Sequence, residues 1–521
     1  MFTLAFYAHR VYKIAHKQYN LYAGEILLKT ASLNSEERHF FRTVYNAAFA
    51  NPFSDLREKL DMKIAGLFPS ASNRESIEQC TNEVNRRIKK LESQGRANIN
   101  AFHGQDKEII TIVFLFDTFY KFKDNFDQLI KDQIKAQDTL IKVPFASKAM
   151  HILHKKGFPA ESIPHYFALS YQLRRAFYFI SNSLVGSSPC MKKLKKHLWY
   201  NVFTYNIDHY NKFLWNKMED FSTLLLGETG TGKGTAAKAI GRSGYIPFDE
   251  KKQWFSQSFT RAFSSLNLSQ YPETLLESEL FGHTKGAFTG AVDNYQGVFD
   301  RCSPHGSILL DEIGEIPNHV QIKLLRILQE RSFSPVGTHE KSRFNGRVIA
   351  ATNRAKKDIL EGRVFRDDFY YRLCSDIIEV PPLRNRIKEK TSELRDLLDF
   401  TILKMTGTHS EKLILKVQRI IDRQLGKDYQ WPGNVRELEQ CVRSVLLRRD
   451  YKGKRKEDEK TLTLKQKLLQ GISNQDILVS SLISGYCKLL YDQFGTYEKV
   501  ARLTGLDRRT IKKHITNFKK V

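Results

Sequence analysis

The chain has 521 residues, with 83 Lys and Arg against 57 Asp and Glu for a formal charge of +26. That length exceeds what one core organises, so about three domains are expected, and an apolar content of 41% excludes a largely disordered chain. The charge points to a polyanionic partner such as nucleic acid; a generally basic surface would give the same balance.

Residues 1–182 read as mostly helical. In "NSEERHFFRTVYNAAF", Asn34 stands three residues before Glu37, the spacing of a capping box. Phe40, Phe41, Val44, Ala47 and Ala48 then recur at helical intervals. "NPFSD" breaks that helix, and "SIEQCTNEVNRRIKKLESQG" is a further helical run ending at Gly95. No catalytic constellation falls in this third, so a regulatory or partner-binding domain is expected. Arg10 and Lys13 interrupt the N-terminal aromatics, which does not suit a signal peptide. The most apolar run, "IITIVFLF" from Ile109 to Phe116, is short of the roughly 20 residues that span a bilayer. Cys80, Cys190, Cys302, Cys374, Cys441 and Cys487 lack metal-ligand spacing. They read as free thiols in a reducing compartment, so a soluble, cytoplasmic protein with no membrane partner is expected.

From residue 183 short aliphatic runs alternate with helical stretches: "FSTLLL" then "KGTAAKAIGRSG", "SILL" then "VQIKLLRILQE", "RVIAATN" then another helix. Such alternation predicts an α/β domain, a parallel sheet with helices on both faces. After Asp450 comes "YKGKRKEDEKTLTLKQK", a linker of mixed charge, and the last forty residues form a helical pattern of their own.

"FSTLLLGETGTGKGTAAKAI" contains G-x-x-x-x-G-K between a strand and a helix, the context in which that motif binds phosphate. Its glycines let backbone N–H groups surround phosphate oxygens, and Lys233 reaches the terminal phosphates. Gly234 stands where a Ser or Thr would ligate Mg²⁺, with Thr235 one residue late. A ligand-free Gly-rich turn is the alternative, and the next motif speaks against it. About 80 residues on, "GSILLDEIGEIP" reads as a buried strand with Asp311 and Glu312 at its carboxyl end. One carboxylate there can hold Mg²⁺ and the other can polarise water. Arg366, Arg372 and Arg436 are candidate cations for a phosphoryl-transfer transition state; spacing alone leaves each as a surface ion-pair residue.

Taken together, residues 183–449 resemble the AAA+ domain of bacterial enhancer-binding proteins, the sigma-54-dependent transcription activators. The resemblance rests on "LVGSSPCM", "GETGTGKG", "PETLLESELFGHTKGAFTGA", "GSILLDEIGEIP", "QIKLLRILQERSFSPVG", "RVIAATN", "FRDDFYYRL", "PPLRNR" and "WPGNVRELEQ". It implies an ATPase subdomain over 183–383 and a helical lid over 384–449. ATP would contact Val185, the loop Gly227, Glu228, Thr229, Gly230, Thr231, Gly232, Lys233, Gly234 and Thr235, then Asn353 after Thr352, and Arg436 from the lid. Asp311 would hold Mg²⁺, Glu312 would position water, and Asn267 would restrain Glu312. Arg366 and Arg372 would act on a neighbouring subunit's ATP, which implies a ring, in this family a hexamer. Gly286, Ala287, Phe288, Thr289, Gly290 and Ala291 form GAFTGA, the signature of the family, implied to contact sigma-54 in its RNA polymerase complex. Phe288 reads as exposed. The segment "YNVFTYNIDHYNKFLWNKMEDFST" is longer than the family's pattern, and an altered adenine-side wall or an added subunit contact would each account for it.

"FGTYEKVARLTGLDRRTIKKHITNFKKV" reads as two short helices around Thr504-Gly505-Leu506, with Asp507 as N-cap of the second. It resembles the Fis-type helix-turn-helix of the same activators, here over 481–521 after a linker over 450–480. Arg508, Arg509 and Thr510 are candidates for base edges of double-stranded DNA. Lys512, Lys513, Lys519 and Lys520 suit phosphates. Two rival functions remain at this point: another AAA+ remodeller in which GAFTGA is incidental, or a DNA-binding regulator whose nucleotide site is structural. No receiver-type acidic pair and acceptor Asp can be placed in 1–182.

Overall fold

Asn34 and Glu37 cap the first described helix reciprocally: Asn34 Oδ1 accepts from Glu37 N at 2.8 Å and Glu37 Oε2 from Asn34 N at 3.1 Å. The computed structural model describes residues 31–67, 73–426, 428–453, 464–473 and 477–516. Among the described residues, the helices of ten or more residues that precede the first strand of the main sheet are α1 Ser35–Phe49, α2 Asp55–Ala65, α3 Asn73–Ser93, α4 Gly104–Lys121, α5 Lys123–Ala136, α6 Ala146–Lys155, α7 Ile163–Ser183 and α8 Pro189–Phe203. Arg38 ties α1 to α4 through both oxygens of Asp106, at 2.8 and 2.9 Å. No helix among the described residues is long and apolar enough to cross a membrane.

Five strands form one sheet: β1 Thr223–Leu226, β2 Phe263–Asn267, β3 Ser307–Asp311, β4 Arg347–Thr352 and β5 Asp376–Glu379. Their order is β2-β3-β4-β1-β5, and every pairing is parallel. The register sets Leu225 beside Ala351 and Leu309 beside Ile349. Because successive side chains of a strand face opposite ways, the sheet divides its aliphatics between two cores. Leu225, Leu309, Ile349, Ala351 and Ile378 point into one, while Leu224, Leu226, Ile308, Leu310, Val348 and Ala350 point into the other. The helices that follow complete the α/β layers: α9 Lys233–Gly241, α10 Glu273–Phe281, α11 Asn318–Glu330 and α12 Asp367–Leu373. The lid follows with α13 Leu383–Glu389, α14 Ser392–Thr406, α15 Glu411–Gln424 and α16 Asn434–Arg448.

The first of these cores does not stop at the sheet. Phe126, Phe167, Tyr171 and Phe179 of the N-terminal helices belong to the same buried cluster as Ala236, Ala237 and Ile240 of α9. Arg175 of α7 donates from Nη1 and Nη2 to the carbonyls of Arg242 and Gly244, at 2.8 and 2.7 Å, just past the end of α9. The long segment after α8 is built into this packing: Tyr210 is buried and shares hydrogen bonds with Gln172 of α7. Asn211 Oδ1 lies 2.7 Å from His165 Nε2. Its extra length therefore packs against the N-terminal helices.

Among the described residues, those up to 418 together with 429–443 make one compact unit, and those of 419–428 with those from 444 onward make a second. The second holds α17 Leu464–Ser473, α18 Val479–Phe494, α19 Tyr497–Thr504 and α20 Arg508–Thr516. Cys487, Val500 and Ile511, one from each of the last three helices, are fully buried against one another's neighbours.

Candidate functional site

A parallel sheet brings all its carboxyl ends to one edge, and the edge between strands of reversed order is where such folds bind ligands. Here β1 delivers Gly227–Lys233, β2 ends at Asn267, β3 ends at Asp311 before Glu312, and β4 ends at Thr352 before Asn353. The register pairs Asn267 directly with Asp311.

The loop after β1 turns on Gly230 and Gly232, at φ of 80° and 105°, a region open to glycine at little cost. Thr231 Oγ1 donates to Glu228 O at 2.8 Å and stiffens the turn. Gly232 caps α9, so the helix begins at Lys233 with its free N–H groups facing the loop. Lys233 Nζ donates to Gly227 O at 2.7 Å and Glu228 O at 3.2 Å. Its side chain is buried, which lowers its pKa against the pull of Glu312 and Asp311. Gly234 is exposed with open space above its Cα, and Thr235 is half-buried.

Glu312 sits in the left-handed region at φ 57°, a conformation that costs a side-chain-bearing residue energy and that collects at functional sites. Among the described residues its buried Oε2 has no hydrogen-bond partner. Burial pushes its carboxyl above the ordinary glutamate range, with Lys233 opposing. Asn267 Oδ1 accepts from Ser269 N and Oγ at 3.0 and 2.8 Å. Glu312 and Asn353 line a cleft of about 540 Å³ together with Leu268, Tyr271, Glu273 and Leu276, the approach to and first turn of α10.

The lid reaches the loop directly. Arg384 of α13 forms a two-pronged ion pair with Glu228. Asn434 Nδ2 donates to Glu228 Oε2 at 3.2 Å and to Thr229 O at 3.1 Å, and Val435 N donates to Gly230 O at 3.0 Å. A methyl on Gly230 would lie 2.3 Å from Gly433 O and 3.0 Å from the Arg436 Cβ. The structure thus brings Arg436 onto the loop, where its charge acts against protonation of Lys233. Asn353 Nδ2 reaches Thr229 Oγ1 at 3.4 Å. Val185 is held to the lid: its carbonyl accepts from Arg386 Nη2 at 2.6 Å. Arg386 pairs with Glu393 at 2.8 Å, and the two side chains are 4% and 0% exposed. Gly186, at φ 125°, passes so close that a methyl there would sit 2.4 Å from Glu393 Oε2. Arg384, Arg386, Glu393 and Asn434 have no role that follows from sequence alone. "PPLRNR" and "WPGNVRELEQ" marked three of them; Glu393 carried no local signal.

Arg366 and Arg372 stand apart from this cluster. Arg366 is the N-cap of α12, exposed, and paired with Asp368 at 2.9 Å. Arg372 Nε donates to Leu328 O at 2.8 Å. Neither bonds to the phosphate loop of its own chain.

The residues fit a nucleotide and its Mg²⁺. No group of three or more potential metal ligands occurs among the described residues. Mg²⁺ commonly takes one or two carboxylates with phosphate oxygens completing its shell, and Asp311 at the end of β3 is such a carboxylate.

GAFTGA forms a tight loop beyond α10. Gly286 N donates to Ala291 O at 2.9 Å, Ala291 N to Phe288 O at 3.0 Å, and Gly286 and Gly290 have φ of 80° and 104°. Phe288 is half-buried, its ring edge-on to His283 at 4.9 Å, where sequence reading expected exposure. Imidazole and phenyl rings favour that geometry, so His283 shelters the side chain. Thr289 is exposed. The loop leans on a second one: Thr284 N donates to Val336 O at 3.0 Å, and a methyl on Gly337 would meet the Ala287 Cβ at 2.6 Å.

In the second unit, α19 and α20 are joined through Gly505 at φ 70°. Asp507 Oδ1 accepts from Arg509 N and Thr510 N at 2.8 and 3.0 Å, an N-cap. Arg508 pairs with Glu498 at 2.7 Å; Arg509, Lys512 and Lys513 are exposed. Lys519 and Lys520 lie outside the described residues.

A five-stranded parallel sheet of this order, a phosphate loop after the fourth strand in that order and an acidic pair on the strand two places away define an AAA+ type nucleotide-binding domain. Residues 207–379 match the family model described as the sigma-54 interaction domain. The Nif-specific regulatory protein of Azotobacter vinelandii is 39% identical over 278 residues, 53% of this chain and 46% of that one. Regulatory protein AtoC of Escherichia coli is 40% identical over 226 residues, 43% of this chain and 45% of that one. The chain therefore spans less than half the length of these relatives. Among solved structures, NtrX from Brucella abortus in complex with ATP aligns over 71% of this chain and 80% of that one, at 18% identity and a TM-score of 0.38.

Proposed function

We propose that the chain is an ATP-driven transcription activator that works on sigma-54 RNA polymerase. The observation that carries this reading is the cleft shared by Glu312 and the start of α10, because α10 leads straight into the GAFTGA loop. A change at the nucleotide's terminal phosphate alters charge beside Glu312, and the cleft wall that must respond is the stem of the loop.

ATP binds with its phosphates on the Gly227–Thr235 loop, Lys233 leaving its own loop carbonyls for phosphate oxygens. Val185, Asn353 and Arg436 complete the pocket, and Asp311 holds Mg²⁺, which when bound spreads the phosphates' negative charge. Glu312 orients water through its unpartnered oxygen. Asn267 gives up its turn contacts to engage Glu312 in one nucleotide state. Arg366, at a surface helix start, and Arg372 serve a neighbouring copy's nucleotide, so a closed ring, a hexamer, is the active form. The loop presents Thr289 and, once free of His283, Phe288 to sigma-54. Arg508, Arg509, Thr510, Lys512 and Lys513 bind upstream double-stranded DNA, Arg508 exchanging Glu498 for the duplex.

The test is transcription in vitro from a sigma-54 promoter with purified protein, ATP and Mg²⁺. Stimulation that requires hydrolysable ATP is expected. No stimulation under conditions where the ring forms would remove the proposal.

A further inference from the structure

A cavity of about 880 Å³ lies between α1, α4, α7 and the segment after α8. That is the size range of pockets for small organic molecules, whereas close-packed interiors leave few voids beyond a water. Aromatic residues line it, among them Tyr45, Phe49, Phe119, Phe177 and Trp199. Charged side chains also line it, among them Lys107, Glu108, Arg174 and Lys212, and one polar group is fixed within the fold. Arg57 and Asp61 pair at 2.8 Å with side chains 12% and 7% exposed. Arg57 also donates to Ala47 O at 3.0 Å and to Tyr120 Oη at 2.6 Å. Charges set into a largely apolar wall and locked by three partners are costly as mere packing; as the polar terminus of a ligand site they supply orientation.

We propose that this cavity binds a ring-bearing, mostly apolar organic effector with one polar group that meets the Arg57–Asp61–Tyr120 group. Its walls connect to both sides of the phosphate loop. Two residues along α8 from Trp199, Asn201 Nδ2 donates to Thr223 Oγ1 at 2.9 Å, at the start of β1. The opposite wall is α7, whose fully buried Arg175 holds the end of α9 through Arg242 O and Gly244 O. An effector that moves α7 against α8 acts on β1, the loop and α9 together. This coupling, though not the site itself, rests on the nucleotide reading given above.

The experiment titrates the full-length protein with 1-anilinonaphthalene-8-sulfonate, an aromatic probe bearing one anionic group, and follows its fluorescence and phosphate release from Mg-ATP in parallel. Saturable binding near one probe per chain is expected, with at least a twofold change in hydrolysis rate. Ala48→Trp on α1 and Leu115→Trp on α4 each fill the cavity. Either is expected to weaken probe binding at least tenfold and abolish the rate response at an unchanged circular dichroism spectrum. Absence of saturable binding, or binding untouched by both tryptophans in folded protein, overturns the site. Binding without any rate response overturns the coupling. Cavity-dependent binding in a protein that hydrolyses no ATP supports the site and counts against the proposed ATPase.

Discussion

Arg384 grips both carboxylate oxygens of Glu228, a residue 156 positions earlier in the chain, and thereby fastens the lid to the phosphate loop. The guanidinium holds the Glu228 carboxyl below its ordinary range. With side chains 35% and 42% exposed, the pair contributes at most about 1 kcal/mol to global stability. In a double-mutant cycle of Glu228→Gln and Arg384→Gln, denaturant unfolding is expected to show a coupling of that size or less. Nucleotide affinity, which depends on lid position, is expected to fall by up to about fivefold for the same energy. Gly230→Ala is expected to do more, since its methyl would strike Gly433 O and the backbone φ of 80° disfavours any side chain.

Glu312 yields a prediction with two signs. Its carboxyl is raised by burial above the ordinary value of 4.5. The folded chain therefore holds the ionised form less readily than the unfolded chain. The resulting penalty is absent below the unfolded pKa and complete above the folded one. Glu312→Gln is expected to melt at or above the wild-type temperature near neutral pH, with the difference shrinking as pH falls through the carboxylate range. The same variant is expected to bind ATP and lose turnover. In the wild type, hydrolysis is expected to decline on acidification sooner than an ordinary glutamate would make it, which a pH profile of phosphate release checks.

The buried Arg386–Glu393 pair is a structural joint. Removing one partner of such a pair leaves an uncompensated charge, at a cost of about 3–5 kcal/mol. Glu393→Ala is expected to lose stability of that order in chemical unfolding and to free Val185 and Ser187, whose backbone groups the pair holds. Replacing both residues with apolar ones of similar size is expected to recover much of the stability without recovering nucleotide binding.

If the proposed function holds, changes at Thr289 and Phe288 separate chemistry from its output. Thr289 is exposed and bonds to nothing that packs the fold, so Thr289→Ala is expected to leave melting temperature and ATPase rate near wild type while abolishing transcription stimulation. Phe288→Ala removes the ring resting on His283. It is expected to cost little stability and to abolish stimulation as well. An activity assay on both variants beside a phosphate-release assay reads the difference.

Local chemistry explains which features sequence could disclose. The Asn34–Glu37 cap is complete within four residues, and the phosphate loop within nine, so both are written in adjacent letters. The strands around Leu225 and Leu309 are short aliphatic runs whose two-sided burial follows from a parallel sheet. The Glu228 contacts with Arg384 and Asn434 join segments 156 and 206 residues apart, and no local pattern encodes such a meeting. Phe288 read as exposed because its shelter, His283, is an unremarkable neighbour until the loop folds back through Gly286 and Gly290. The length of the segment after α8 was legible, but its destination, beneath α7 at Gln172, depends on a core shared by two regions that composition separates.

That shared core bears on how the protein can be handled. A chain begun at residue 184 would uncover Ile240, Ala236 and Phe259, now buried by the N-terminal helices, and would leave the carbonyls of Arg242 and Gly244 without Arg175. Such a fragment would present a greasy flank to solvent and tend to aggregate. Loss of ATPase activity on truncation would then report insolubility, so dissecting the N-terminal region calls for single substitutions in an intact chain.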